Sequence, residues 1–346
     1  MRIGLGINYA GGFRDVAAEV ADLERAGLDI VFVPEAYSFD AVSALGYLAA
    51  STQRVQLASG ILQLYTRTPT LTAMTAAGLD YVSDGRFTLG LGASGRQVIE
   101  GFHGVPYDAP IARTREVIEI CRQVWRRETV QHLGRHYTIP LPADRGTGLG
   151  KPLKLINKPV RERIPILVAA LGPKNVELAA EIAEGWQPIF YFPEKAQDVW
   201  GEALATGRAK RHPALGELEV YAGPVLAIGE NVESLREYVK PNLALYIGGM
   251  GAKGRNFYHT LATRYGYGAA ADRIQELYLS GDKDGAAKVV PDQLVRDVSL
   301  IGTREFVKER LAAFREAGVT TLNVVPIAET AADRLKLIET LRGLLD

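Results

Sequence analysis

The chain has 346 residues, with 40 Lys plus Arg against 40 Asp plus Glu and a formal net charge of +0. A length of that order suits two average domains or one α/β barrel, and 47% hydrophobic residues supply a large core, which excludes a disordered chain. Neutrality excludes the broad basic face of a nucleic-acid binder, and a single cysteine, Cys121, excludes an internal disulfide or a cysteine metal cluster.

The N-terminus carries one basic residue, and glycines break its apolar run at once, so it reads as a first strand rather than a signal peptide. No run approaches the ~20 apolar residues that span a bilayer, so no membrane partner is expected, and the expected compartment is the reducing cytoplasm. In chain order, apolar or β-branched runs at 2–8, 29–35, 55–62, 86–93, 165–171, 185–191, 218–228 and 321–327 read as strands. Helical patterns alternate with them at 13–26, 39–50, 69–82, 110–127, 174–183, 193–210 and 232–244. A further helix at 303–317 precedes the last strand, and one at 331–345 follows it. Gly27 suits a helix C-terminus and Pro69 a first turn.

Two stretches break the rhythm. Residues 128–163 read as a β-hairpin around Leu133-Gly134-Arg135 followed by a Gly/Pro/Lys-rich loop. Residues 246–301 open on a glycine-rich string and continue as helices. The expectation is one domain over 1–346 carrying both as insertions, after the fourth and the seventh helix. Alternating strands and helices predict an α/β fold with a parallel sheet, and eight strands are the number that closes a (β/α)8 TIM barrel. An open doubly wound sheet is the alternative. It has fewer strands and a glycine-rich turn after the first, and Asn8-Tyr9-Ala10-Gly11-Gly12 is not that fingerprint.

Barrel enzymes carry their sites at the C-terminal ends of the strands. There the 36 glycines of the chain, above the usual ~7%, acquire meaning. Gly90-Leu91-Gly92-Ala93-Ser94-Gly95 could lay bare backbone against a planar ring or pack strand tightly on helix. Ala169-Ala170-Leu171-Gly172-Pro173-Lys174-Asn175 leads into a helix N-terminus, either an anion site or an ordinary turn. Glu35, after Pro34, is a site carboxylate or a helix cap. His103 reads as a loop histidine and Cys121 as a buried one, no histidines are spaced for a metal, and there is no nucleophile elbow.

These strings, with Phe32-Val33-Pro34-Glu35-Ala36-Tyr37, Ser59-Gly60-Ile61-Leu62, Tyr65-Thr66-Arg67-Thr68-Pro69, Asp84-Gly85-Arg86-Phe87, Gly302-Thr303-Arg304-Glu305-Phe306 and Ala317-Gly318-Val319, resemble the luciferase-like flavin and deazaflavin oxidoreductases. Within that family the resemblance is to the coenzyme F420 branch, the methylenetetrahydromethanopterin-reductase-like proteins, and it spans nearly the whole chain. It implies a barrel enzyme, often a homodimer, that transfers hydride between F420 and a small organic molecule. An FMN-dependent monooxygenase is the alternative, and a non-catalytic binder a third reading. The resemblance also implies a non-prolyl cis bond at Gly60–Ile61 and a cofactor set of Glu35, Ser59, Gly60, Ile61, Gly92, Ala93, Ser94, Ala169, Ala170, Leu171, Gly172, Lys174 and Asn175. Sugar-phosphate-oxidising relatives carry an Asp-His pair after the second strand and a Glu after the fourth. Glu35-Ala36 and Ser94-Gly95-Arg96-Gln97 stand there instead, which leaves Glu35, Tyr37 and Gln97 as catalytic candidates.

Overall fold

A computed structural model describes residues 1–7, 12–251 and 253–345. The end of the first expected strand, the turn Asn8–Gly11 and Ala252 of the second insertion lie outside the described residues.

Eight parallel strands close a barrel: β1 (Arg2–Gly6), β2 (Ile30–Val33), β3 (Gln56–Ser59), β4 (Phe87–Gly92), β5 (Ile166–Ala169), β6 (Gly185–Gln187), β7 (Glu219–Ala222) and β8 (Thr321–Pro326). Closure is made by β1 on β8, with Arg2 opposite Thr321 and Leu5 opposite Val324. The (β/α)8 expectation holds, and the doubly wound alternative is excluded by that pairing.

Differences from the expected spans have local causes. The run 218–228 is one line of chain in two pieces, β7 and Val225–Ile228, which share one register along β8. Between the pieces sits Pro224, which has no N–H to donate to a ladder. The second piece pairs with Leu300–Gly302, a strand where helix was expected up to 301. The helix expected at 232–244 is a 3-10 stretch, Glu233–Tyr238, followed by a short α-helix, Lys240–Ala244, because Pro241 cannot continue a helix begun upstream. The sixth strand ends at Gln187 rather than 191. The helix expected from 39 begins at Ala41, after Asp40 has accepted the Ser43 N–H at 2.9 Å.

The barrel interior is small and layered. Ile30, Phe32, Ala58, Leu167 and Tyr221 pack together inside it. Beneath them Arg2 plugs the N-terminal end, donating to Gln56 at 3.0 Å, Glu219 at 2.6 Å, Tyr221 at 2.5 Å and Thr321 at 3.2 Å. The larger core lies between the strands and the helix ring and includes Trp125, Trp186 and Trp200. A floor sealed by a satisfied polar network leaves the C-terminal end as the open one.

The hairpin of the first insertion is an antiparallel pair, His132–Leu133 with Thr138–Ile139. It is fastened by Glu116 on the helix Pro110–Trp125, whose carboxylate accepts from His132 Nε2 at 3.1 Å and from the N–H groups of Arg135 and Tyr137 at 3.1 and 2.9 Å. The second insertion carries the helices Phe257–Ala262, Gly268–Leu279, Lys283–Lys288 and Asp292–Asp297.

Candidate active site

Side chains alternate along a strand, and register fixes which ones face inward. Phe32, Ala58, Leu167 and Tyr221 face in. Gly6 lies level with Phe32, and Thr88 with Ala58. The last inward positions at the open end are therefore Gly6, Gly60, Gly92, Ala169 and Gly223. Five strands converge there with nothing larger than a methyl group, so the mouth is lined largely by backbone. Ile61 lies 2.8 Å from where a Gly92 Cβ would stand and Phe32 3.0 Å from where a Gly60 Cβ would, and Gly6 is the most open of the five among the described residues. Gln187, level with Ala169, and Asn323, level with Gly4, also face in. Their amide oxygens, Gln187 Oε1 and Asn323 Oδ1, are buried with no partner among the described residues. A buried polar atom without a partner costs free energy that a ligand can recover.

One wall is built by β3 and β4. The Gly60–Ile61 bond is cis, as the resemblance implied, and the Gly60 N–H donates to Val33 O at 2.8 Å. A Cβ on Gly90 would fall 1.9 Å from Ser59 O, and one on Gly92 would fall 2.8 Å from Ile61. Only glycine lets these strand ends lie so close. Ser59 belongs to this scaffold. Its hydroxyl donates to Gly90 O at 2.9 Å and accepts the Gly90 N–H at 2.8 Å, and its side chain is fully buried. Alternation turns the Ser59 side chain away from the mouth, so a contact of Ser59 with a cofactor would fall to its backbone.

The turn after β5 is braced from outside. Trp186 Nε1 donates to Ala170 O at 2.9 Å and Trp200 Nε1 to Leu171 O at 3.0 Å. Gly172 precedes the helix Pro173–Ile182, whose first N–H groups lack intrahelical acceptors. Asn175 Oδ1 is buried beside that turn with no partner among the described residues. The Lys174 side chain is exposed and pairs with Glu177 at 3.2 Å, along the helix. Phe257 of the second insertion lies over Gly172, 3.4 Å from where a Cβ would stand.

Glu35 is fully engaged. Arg67 grips it with two bonds, at 2.5 and 2.9 Å, and it accepts the Ala41 N–H at 3.0 Å, capping the helix Ala41–Ser51. The helix-capping contact of its two sequence readings is present, and both carboxylate oxygens are engaged by Arg67. Tyr37 is exposed, its ring 6.2 Å from that of Phe102. Gln97 opens the π-helix Gln97–Phe102 and is exposed at the rim, after Ser94 in a left-handed conformation at φ +60°. Tyr37 and Gln97 thus lie on loops, while Glu35 belongs to the frame.

The rim also holds aromatic groups. Tyr65 packs on Tyr107 at 5.0 Å, and Tyr246 on Tyr258 at 4.7 Å. Burial pushes the Tyr65 and Tyr258 hydroxyls well above their usual range, so both stay neutral donors. Sequence reasoning missed Arg67 as a partner, Gln187, Asn323 and the two tryptophans. The glycines at period two in Gly4-Leu5-Gly6 and Gly90-Leu91-Gly92 were a readable sign of inward positions without side chains, most of them closely approached by a neighbouring strand. Nothing marked the others, because their partners lie far away in sequence. No cluster of three His, Cys, Asp or Glu suited to a metal exists among the described residues.

A barrel with a polar network at its floor and a glycine-lined C-terminal mouth is the architecture of a ligand-binding barrel enzyme. The model of the luciferase-like monooxygenase family matches residues 1–321. The chain is 44% identical over 344 residues, 98% of its length and 99% of the relative's, to a Mycobacterium tuberculosis protein provisionally named a coenzyme F420-dependent oxidoreductase. It is 28% identical to the 5,10-methylenetetrahydromethanopterin reductase of Archaeoglobus fulgidus, over 91% of this chain and 90% of that one. The solved F420-dependent tetrahydromethanopterin reductase of Methanopyrus kandleri shares the fold at a TM-score of 0.80 and 22% identity, covering 98% of this chain and 96% of that one. The chain belongs to the luciferase-like monooxygenase family, in its F420-dependent oxidoreductase branch.

Proposed function

We propose that the chain transfers hydride between coenzyme F420 and a small organic substrate bearing a carbonyl or an unsaturated bond. The carrying observation is the mouth lined by Gly6, Gly60, Gly92, Ala169 and Gly223, where the amide oxygens of Gln187 and Asn323 are buried with no partner among the described residues. The residues fit a planar ring: Gly60, Ile61, Gly92, Ala93 and Ser94 would hold one face, and Ala169, Ala170, Leu171, Gly172 and Asn175 its phosphate side. When bound, the deazaflavin supplies an obligate two-electron, hydride-carrying centre, and the protein's part is to bind, orient and shield.

Glu35 is then a positioning residue, fixing the β2 turn through Arg67. Tyr37 and Gln97, free at the rim, are the groups proposed to touch substrate, and Gln97 can donate or accept without changing charge. The rim tyrosines narrow the entrance and exclude water. The hairpin in 128–163 and the helices in 246–301 are proposed as insertions of one catalytic unit, working in the cytoplasm as a homodimer without nucleic acid or membrane. No helix among the described residues is long and apolar enough to cross a membrane.

The test is turnover with reduced and oxidised F420 against a panel of carbonyl and enone compounds, with oxygen uptake followed in parallel. Substrate-dependent F420 oxidation or reduction without oxygen uptake is expected. Substrate-dependent oxygen uptake with reduced FMN would replace this reading with a monooxygenase.

A further inference from the structure

Among the described residues, the guanidinium groups of Arg67, Arg96 and Arg113 stand on the side of the mouth built by the segments after β3 and β4. Two of them are already paired. Arg67 grips Glu35, and Arg113 pairs with Asp108 at 2.9 Å. Glu100, on the π-helix that Arg96 precedes, accepts the Tyr107 N–H at 3.2 Å. The Arg96 side chain is exposed and makes no ion pair or hydrogen bond among the described residues.

A ring holds Arg96 in place. Its guanidinium carbon lies 5.5 Å from the centroid of Tyr107, a cation–π contact. That ring is itself fixed against Tyr65 at 5.0 Å, and the Tyr65 hydroxyl donates to Asp108 O at 2.8 Å. A surface arginine is ordinarily a solvated one. This one stands two residues after Ser94, whose left-handed backbone turns the chain at the end of β4, so it belongs to the wall of the mouth. Its head group is held by a ring and its charge is uncompensated. More rings lie near it. Tyr258 of the second insertion is close enough to Tyr107 for the two phenols to interact electrostatically. Tyr246 meets Tyr258 edge-on, and Phe190 meets Tyr246 at 5.3 Å. The entrance therefore offers one free cation beside flat aromatic surface.

We propose that Arg96 selects the substrate, and that the substrate is a ketone or enone with a carboxylate, whose planar apolar body lies against Tyr107 and Tyr258. A guanidinium and a carboxylate match in charge and in their planar, two-pronged hydrogen-bonding geometry. One cation suits a single negative charge, and neither Arg67 nor Arg113 is free to help with a phosphate dianion. The aromatic faces suit an aryl or conjugated body. The reaction in this statement rests on the hydride transfer proposed above, and the binding does not.

The test is calorimetric titration of the full chain, alone and with F420 present, with benzoylpropionate, an aryl ketone with a carboxylate, and with its neutral primary amide. The wild type is expected to bind the acid at least about fivefold more tightly than the amide, the size of one exposed charge pair with good geometry. Arg96→Gln is expected to bind the two within about twofold of each other, with Tm and F420 affinity as in the wild type. In case Arg96→Gln does not fold, Arg96→Met takes its place, and the wild-type preference is followed as salt rises, which should shrink it. Equal binding of acid and amide by the wild type, no binding of the acid, a preference that salt leaves unchanged, or one that survives in the folded variant overturns the proposal. F420 binding that weakens in Arg96→Gln overturns it as well, since the guanidinium would then serve the cofactor's own acidic groups. A chain that binds the acid with this preference but does not bind F420 keeps Arg96 as the selecting group and sinks the hydride-transfer reading.

Discussion

At the scale of single residues, pairing decides what each group can do. Cys121 is buried in the helix Pro110–Trp125, and burial pushes its thiol up to about 12. The native chain is therefore expected not to react with a thiol reagent at pH 8 and to react once per chain after unfolding. Rapid native labelling would mean that the helix opens. Glu35 and Arg67 form a half-buried pair, so removing either partner leaves the other poorly compensated and costs about 1–3 kcal/mol. Glu35→Gln and Arg67→Met should each lower Tm, and their double variant should lose less than the sum of the two. A large loss of kcat for Glu35→Gln at unchanged Tm would instead make Glu35 a proton donor. Gly6 tests the mouth itself, because among the described residues the one atom near its Cβ position is Asn323 Oδ1, at 4.0 Å. Gly6→Val should fill the mouth there at little cost in Tm and weaken F420 binding at least about tenfold, equivalent to 1.4 kcal/mol. Unchanged binding would place the ring elsewhere.

At the scale of elements, carboxylates fasten loops to the barrel. Glu116 is held below its ordinary value. Burial opposes that shift, and the Tyr137 N–H, His132 and the His136 N–H outweigh it. Its folded value lies below its unfolded one, so its contribution is full above the ordinary ~4.3 and disappears as pH falls through the lower folded value. The hairpin should thus be released early in acid, read as a gain of hydrogen exchange at 129–141 on going from pH 7 to pH 3. Glu116→Gln should cost about 1–3 kcal/mol at pH 7 and release the same residues. A hairpin equally protected at both pH values would contradict this. The eight strands and the flanking helices were legible in the sequence because alternation and helical periodicity are local signals. The strand Leu300–Gly302 was not, since its ladder to Val225–Ile228 spans a long insertion. The breaks at Pro224 and Pro241 were visible as residues, but the parallel neighbours that make them matter were not. The cradle glycines and the turn after β5 were legible as strings. The partners of Glu35, Ser59 and Lys174, which decide whether those side chains face a ligand, depend on packing that no spacing encodes.

At the scale of the whole molecule, zero net charge and a glycine-lined mouth are parts of one account. No global field draws in an anionic cofactor, so any phosphate must be held locally, by backbone groups at the turn that Trp186 and Trp200 brace. Since Lys174 is turned along its helix, F420 binding should be little changed in Lys174→Ala. A loss beyond tenfold would show that the side chain swings over the turn. The most direct test of the central claim is an optical titration of the full chain with F420 and, in parallel, with FMN, repeated on Gly6→Val. The account predicts saturable F420 binding at one site per chain, weaker or no binding of FMN, and loss of the F420 signal in the variant. Tight FMN binding with no response to F420 would contradict it.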